Sequence, residues 1–470
     1  METMTTLDKA KHAAERKAFD VAVTAALKNI DKNRGEAMVK LVNLTKKILK
    51  DTWPDKAYDA LRGVFEDPDS KWMEYTDSLF DTVDHKLIKS AALNLGFEAG
   101  FSGYKRTKQL GDEFGCNIPW SVLLDPTSAC NLRCTGCWAA EYGHKMNMDL
   151  DTLDSIITQG EDLGIHSYLY TGGEPMVRKN DLITLCEKHP HSNFMCFTNG
   201  TLIDDAFCKD ILRVGNFFPN ISLEGFKEEN DSRRGEGDFD KVMQAMDLLK
   251  ANKCMFGLSI CYTSQNYKTV TSDEFLDMVI EKGVKYAWYF HYMPVGNDAS
   301  TDLLLTPDQR EYMYHRIREI RGFKGGKPIF ALDFQNDGEF VGGCVAGGRE
   351  YCHINPNGDV EPCVFIHYSS ANVKDMSLLD CFKQPIFLKY KEGQPFNDNH
   401  LRPCPMLENP DALREIIAET GAKSTDMQSP EDVDSLCSKC DPYAKEWAIR
   451  AAKLWDDSLK AKEAKKTQCH

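Results

Sequence analysis

Trp120-Ser121-Val122-Leu123-Leu124 runs through Asp125-Pro126-Thr127 into Ser128-Ala129-Cys130-Asn131-Leu132-Arg133-Cys134-Thr135-Gly136-Cys137-Trp138. The first five residues form a short apolar run bounded by turn residues, the signature of a buried strand. The cysteines that follow have three and then two residues between them. Three thiolates this close can wrap one metal centre, whereas a thiolate-held four-iron cluster is usually capped by four. A compact loop that supplies only three leaves one iron open, as catalytic metal sites keep an open position. The loop is therefore read as the seat of a cluster that binds something at its fourth iron.

Outward from this loop the chain alternates strands and helices. Residues 167–171, 193–198, 220–223, 255–263 and 286–292 read as further strands. Between the first two, Leu150, Leu153, Ile156, Ile157 and Leu163 keep helical spacing, with Asp149 or Asp151 placed to cap the start. Residues 239–249 and 275–280 give further helices. Six strands alternating with helices predict a parallel sheet, either doubly wound or a partial barrel, with function at the carboxyl ends of the strands. The cysteine loop follows the first strand at that end.

Residues 1–110 read as a helical extension, from apolar spacing such as Phe19-Val21-Val23-Ala26-Leu27 and Met38-Leu41-Val42-Leu44-Ile48. Pro54 marks a break, and Asp69-Ser70 a helix start. Phe97, Phe101 and Tyr104, near Lys105, Arg106 and Lys108, read as core packing or as the border of an apolar substrate or membrane surface. The expected division is a helical extension over 1–110, a core over 111–325, a cysteine-rich segment over 326–445, and a terminal helix and tail over 446–470.

The 470 residues carry a formal charge of −15, which argues against nucleic acid as a partner. No apolar run is long enough to span a bilayer, and the start lacks a secretory signal, so a cytoplasmic protein is expected. Seventeen cysteines then need a reason in a reducing compartment. Cys186, Cys196, Cys208, Cys254 and Cys261 stand singly among apolar neighbours and read as buried small hydrophobes. Cys469 in the polar tail reads as inert and Cys381 stands isolated; most of the rest are grouped, as metal ligands are.

The second strand ends in Thr171-Gly172-Gly173-Glu174-Pro175. Paired glycines let backbone approach a ligand, and the Glu174 carboxylate beside them suits an ammonium group. The Cys130, Cys134, Cys137 triad with this Gly-Gly-Glu-Pro run resembles the radical S-adenosylmethionine (radical SAM) enzyme family over roughly residues 118–300. The resemblance implies a partial six-stranded (β/α) TIM-like barrel and a 4Fe-4S cluster on the three cysteines. In that family the amino and carboxylate groups of S-adenosylmethionine chelate the open iron. Reductive cleavage there yields a 5′-deoxyadenosyl radical that abstracts hydrogen from the substrate, and an electron donor such as flavodoxin or ferredoxin is implied.

Phe197-Thr198-Asn199-Gly200 resembles the family's Thr-Asn-Gly, and Ser222-Leu223-Glu224-Gly225 stands close to its Ser-Leu-Asp-Gly, with Glu224 in place of aspartate. Arg234 before Gly235 resembles an arginine that salt-bridges the cofactor carboxylate, which its forked guanidinium suits. Ser222 is placed to bind that carboxylate or the ribose, and the backbone of Met293-Pro294-Val295-Gly296 to meet the adenine. The alternative for the triad is a zinc site completed by a residue such as His144.

Cys344, Cys352 and Cys363 form a second group, with the hairpin signal Asn357-Gly358 before the third cysteine. This resembles the SPASM or twitch extension of radical SAM maturases. Its later cysteines thin to Cys404 and the Cys437-Ser438-Lys439-Cys440 pair, so one auxiliary 4Fe-4S cluster is expected rather than two. The expected ligands are Cys344, Cys352, Cys363 and Cys404, with Cys437 and Cys440 competing; a zinc-stapled extension is the alternative. The leading expectation is a radical enzyme acting on a small, hydrophobic metabolite or lipid. The alternatives are a peptide or protein maturase and a non-catalytic scaffold. His353, Glu361 and Tyr262 stand as candidates for a second catalytic residue.

Overall fold

A computed structural model describes residues 6–48, 55–296, 299–323 and 326–467. The break at Pro54 lies outside them. The chain opens with helices Thr6–Asn29, Arg34–Ile48, Asp55–Glu66, Lys71–Thr82 and His85–Ala91. A π-helical stretch, Ala92–Gly103, then leads into helix Tyr104–Phe114. Ser70 does cap a helix: its hydroxyl accepts the Trp72 N–H at 3.3 Å. Phe19 and Val23 bury their side chains against Leu93 and Phe97, whereas Val21 turns to solvent. Phe97 is core, and Phe101 packs against that core. Tyr104 is the member of that aromatic group left partly open.

Strands β1 (Ser121–Leu124), β2 (Ser167–Tyr170), β3 (Asn193–Thr198), β4 (Phe217–Ser222), β5 (Gly257–Tyr262) and β6 (Tyr286–His291) pair in parallel, in sequence order. They form the open barrel expected from the alternation of strands and helices. The barrel extends further at both edges. On one side β7 (Phe330–Asp333), a strand not expected from the sequence, joins β6 in parallel. On the other, β8 (Tyr351–Ile354) joins β1 in parallel and turns into β9 (Val360–Glu361). Asn357-Gly358 makes that hairpin, with Gly358 at φ 94°.

Strand alternation sends Val122, Leu124, Tyr168 and Tyr170 outward, where they are fully buried under the helices. Tyr170 stacks on Phe194 with ring centroids 5.7 Å apart. The inner face carries Leu123, Leu169, Met195, Phe197, Trp288 and Phe290, which surround open space.

Two buried ion clusters fasten the carboxyl-terminal segment to the barrel. In the first, Arg310 of helix Pro307–Ile320 is fully buried. It donates to Glu408 Oε1 at 2.6 Å, to the Tyr443 hydroxyl at 2.8 Å and to Asn336 Oδ1 at 3.0 Å, and lies over the Trp447 ring. In the second, His353 of β8 sits between Asp125 Oδ1 at 3.0 Å and Glu361 Oε2 at 2.6 Å. The Tyr142 hydroxyl also donates to Glu361 at 2.7 Å. Burial works against charge on His353, but Asp125 and Glu361 outweigh it and hold its proton up to about pH 10.

Removing Arg310 strands a buried carboxylate. Arg310→Ala is expected to lower unfolding stability by roughly 3–5 kcal/mol, while Arg310→Met with Glu408→Leu recovers most of it, as read from urea unfolding. His353 behaves differently with pH. Its folded pKa lies above its ordinary 6.5, so its contribution is complete below that value and lost as pH rises through about 10. The stability gap between the wild type and His353→Gln should therefore be widest near neutrality and narrow in alkaline buffer.

Candidate active site

Beyond β1 the cysteine loop folds back over the carboxyl ends of the strands. The glycine turn after β2 holds it there: Gly173 N–H donates to Thr127 O at 2.9 Å and Glu174 N–H to Ala129 O at 2.8 Å. A Cβ on Gly173 would stand 2.3 Å from Ala129 O, and one on Gly172 2.6 Å from Thr127 O. The glycines are thus required by the loop's own approach, a closer reason than access for a ligand. Gly136 is constrained in the same way, since a Cβ there would stand 2.6 Å from the Tyr292 ring.

Glu174 is buried and spends both carboxylate oxygens inside the fold. Oε1 accepts the Thr198 hydroxyl at 2.7 Å and Met176 N–H at 2.9 Å; Oε2 accepts Asn199 N–H at 2.7 Å. Burial pushes its pKa up, against these donors. Asn199 ties the third strand end to the cysteine loop, its Nδ2 donating to Asn131 Oδ1 at 2.8 Å. Ser222, the last residue of β4, faces the same space.

Glu224 replaces the aspartate of the familiar pattern, and its role is visible. Fully buried, it accepts Arg233 Nη1 at 2.7 Å, Arg234 Nη2 at 2.5 Å and Arg234 Nε at 3.1 Å, and its other oxygen accepts Cys261 N–H at 3.1 Å. Arg234 therefore gives one edge of its fork to Glu224. Its remaining Nη1 points to Cys134 Sγ, 4.0 Å away. Burial opposes the charge on Arg234, but Glu224 and Cys134 more than offset it.

Cys130, Cys134 and Cys137 come together on this one loop. Burial pushes the Cys130 thiol up to about 11 and raises that of Cys134, so metal or cluster binding must displace their protons. An all-thiolate donor set confined to one loop suits an iron–sulfur cluster. Among the described residues no group of three or more His, Cys, Asp or Glu side chains is arranged to hold a single metal ion.

The carboxyl-terminal cysteines regroup. Cys344, Cys363 and Cys404 gather around Tyr351 and Tyr390. Tyr351 hydroxyl lies 2.7 Å from Cys363 Sγ, and Cys404 Sγ accepts Leu407 N–H at 3.3 Å. Burial, with smaller help from Cys344 and Glu361 and against the Tyr351 hydroxyl, pushes Cys363 up to about 12. Cys352 does not join them. It alternates with Tyr351 and His353 along β8 and so faces the opposite side, toward Cys381 and Tyr168. The hairpin was expected to pair Cys352 with Cys363; the period-two alternation defeats that. The Cys437–Cys440 turn comes nearer: Glu408, which accepts Cys404 N–H at 2.7 Å, also acts on Cys440.

Beneath the cysteine loop lies a chamber of about 730 Å3, walled by the inner faces of the strands. His291 and Asp333, which sequence reasoning missed, end β6 and β7 on this wall. His353, Glu361 and Tyr262 do not line it. The first two belong to the buried cluster behind Trp138, and Tyr262 donates to Asp333 at 3.0 Å. The wall was hard to read because inward apolar side chains look alike whether they meet a core or a cavity.

Comparison with known proteins agrees with this geometry. The radical SAM superfamily matches residues 124–279, and the SPASM iron–sulfur cluster-binding domain matches residues 344–406. The chain is 26% identical to Fe-coproporphyrin III synthase of Methanosarcina barkeri over 47% of its own length, and spans 57% of that protein. It is 28% identical to mycofactocin maturase MftC of Mycobacterium tuberculosis, covering 56% of this chain and 69% of that one. It is 25% identical to the PqqA peptide cyclase of Granulibacter bethesdensis, covering 61% and 79%. Streptococcus suis SuiB, solved with its precursor peptide SuiA, shares the fold at 17% identity, with a TM-score of 0.51 over 60% of this chain and 69% of that one. Residues 124–279 thus form a radical SAM domain, whose 4Fe-4S cluster works with S-adenosylmethionine, and residues 344–406 a SPASM domain for auxiliary iron–sulfur binding.

Proposed function

We propose that this protein abstracts hydrogen from a small, hydrophobic metabolite or lipid held in the barrel chamber. The observation that carries this reading is the apolar wall directly below the cysteine loop, with Met195, Phe197, Phe290 and Phe334 on its inner face. When bound, the cluster and S-adenosylmethionine supply a 5′-deoxyadenosyl radical, given one electron from a donor such as flavodoxin or ferredoxin.

The chain's own residues have these roles. Cys130, Cys134 and Cys137 hold the cluster. The Gly172–Gly173 turn and Glu174 place backbone and negative charge beside the cofactor's ammonium, while Thr198 and Asn199 keep Glu174 in position. Arg234, steadied by Glu224, has its Nη1 beside Cys134 on the cluster side, the edge that would meet the cofactor carboxylate. Ser222 stands beside it as a hydroxyl donor, and the backbone near Met293 borders the adenine. The proposed domains are 1–110, 111–325, 326–445 and 446–470, with β7 and β8 of the third adding to the sheet of the second.

For the auxiliary cluster the ligands proposed are Cys344, Cys363 and Cys404, with the fourth from the Cys437–Cys440 turn in place of Cys352. The second reading is a peptide or protein maturase. Mycofactocin maturase and a peptide cyclase among the relatives favour it, and those names lend it more support than they lend a lipid substrate. The porphyrin enzyme among them speaks for a small molecule. Against a polyanionic porphyrin, Arg234 is the single arginine or lysine among the described lining residues, and Glu224 already holds it.

Anaerobic reconstitution with iron and sulfide, followed by reduction with S-adenosylmethionine, is expected to give 5′-deoxyadenosine. Cys130→Ala should abolish that product, whereas Cys363→Ala should leave some uncoupled cleavage. A wild type that loads iron yet forms no 5′-deoxyadenosine would return the protein to the scaffold reading. A short precursor-peptide gene next to this one, with cleavage stimulated by that peptide alone, would favour the maturase.

Iron content separates the ligand sets. Cys352→Ala should retain the full auxiliary iron and its absorbance, while Cys404→Ala should lose them. The reverse result would restore Cys352 as a ligand.

A further inference from the structure

The chamber does not stop below the cofactor site. Its wall follows β1 from the cysteine loop to Ser121 and Trp120 at the opposite, amino end of the barrel, where Tyr104 and Glu350 also line it. From Asp125 to Trp120 a strand covers about 17 Å. On the side away from β1 the Tyr286 ring lies over Gly257, its register partner on β5, where a Cβ would stand 2.4 Å away. Beside β1 the open space reaches the amino end of the barrel.

Two groups shape its far end: Trp120, just before β1 and tied to the amino-terminal extension, and Tyr104 of the extension itself. Trp120 is held by its indole N–H, which donates to Ala99 O at 3.1 Å. Tyr104 stands beside Lys108, whose ammonium lies 4.8 Å from the ring and 3.1 Å from Glu350. The Tyr104 side chain is partly exposed, so its ring meets both the chamber and solvent. Between the two ends the wall offers little to a polar ligand. The Ser121 hydroxyl is already bonded to Ser167. A peptide threaded here would leave buried amides without partners, at a cost of a few kcal/mol each. A hydrocarbon chain would leave nothing unpaired.

Resting on the hydrophobic-substrate reading above, we propose that the chamber takes an unbranched hydrocarbon chain. Its reacting carbon lies under the cysteine loop and its tail ends on Trp120 and Tyr104. The helical extension thereby supplies the end wall that sets chain length.

The decisive experiment uses the cluster-loaded protein and a homologous series of straight-chain fatty acids, some brominated at the terminal carbon. Affinity is expected to rise about fourfold per methylene until the tail meets the end wall, then to level. Tyr104→Ala should move that break to longer chains and leave 5′-deoxyadenosine formation without substrate unchanged. Terminal bromine should quench tryptophan fluorescence, and Trp120→Phe should remove most of that quenching; this readout stands even if Tyr104→Ala folds poorly. A break that stays in place, or quenching unaffected by Trp120→Phe, overturns the end wall while leaving an apolar substrate standing. Absence of any binding across the series overturns the hydrophobic-substrate reading itself.

Discussion

Between the glycine turn after β2 and the cysteine loop after β1 there is no room for even one side-chain carbon. Two backbone hydrogen bonds join these segments, and their carbonyls occupy the space a Cβ at position 172 or 173 would need. That contact places the thiols over the barrel mouth. It also orients Glu174, which reaches forward to the end of β3, from which Asn199 reaches back to Asn131 in the loop. A ring of short contacts thus makes three strand ends one rigid rim, and rigidity matters where a reactive species must meet one carbon and no other.

A second, electrostatic fixture stands across the mouth. Glu224 binds two arginines and a strand amide at once. The longer side chain, which departs from the familiar aspartate, spans from the end of β4 to Arg233 and Arg234 while still touching β5. A buried carboxylate with this many donors keeps both guanidiniums charged and in place. The positive edge left free faces the thiols.

Much of this was legible in the amino-acid sequence, for physical reasons that differ by element. Residues 193–198 read as a strand and form one to the residue, because apolar and β-branched side chains sit between clear turn signals. β4 begins earlier than expected, at Phe217 in place of residue 220, and takes in Pro219. β7, no shorter than β1 or β2, was missed. The cysteine triad was plain from spacing alone. Cys352 was misplaced because sequence distance to Cys363 says nothing about which side of a strand a thiol occupies. Val21 fitted a helical stripe and still faces water, while Phe97 in the same extension is wholly enclosed. The chamber wall could not be foreseen, since it depends on what the facing strands leave unfilled.

The pairing of β8 with β1 has a bearing on how the chain reaches its native state. Ser121 finds its partner Tyr351 about 230 residues later, with every other strand of the barrel made in between. Until then one border of the nascent sheet offers bare amides and carbonyls to any passing strand. Such distant pairing slows folding and prolongs exposure to aggregation. The cysteine-rich segment therefore doubles as the seal of the barrel's leading edge, and a polypeptide shortened before it would emerge from synthesis with that edge unprotected.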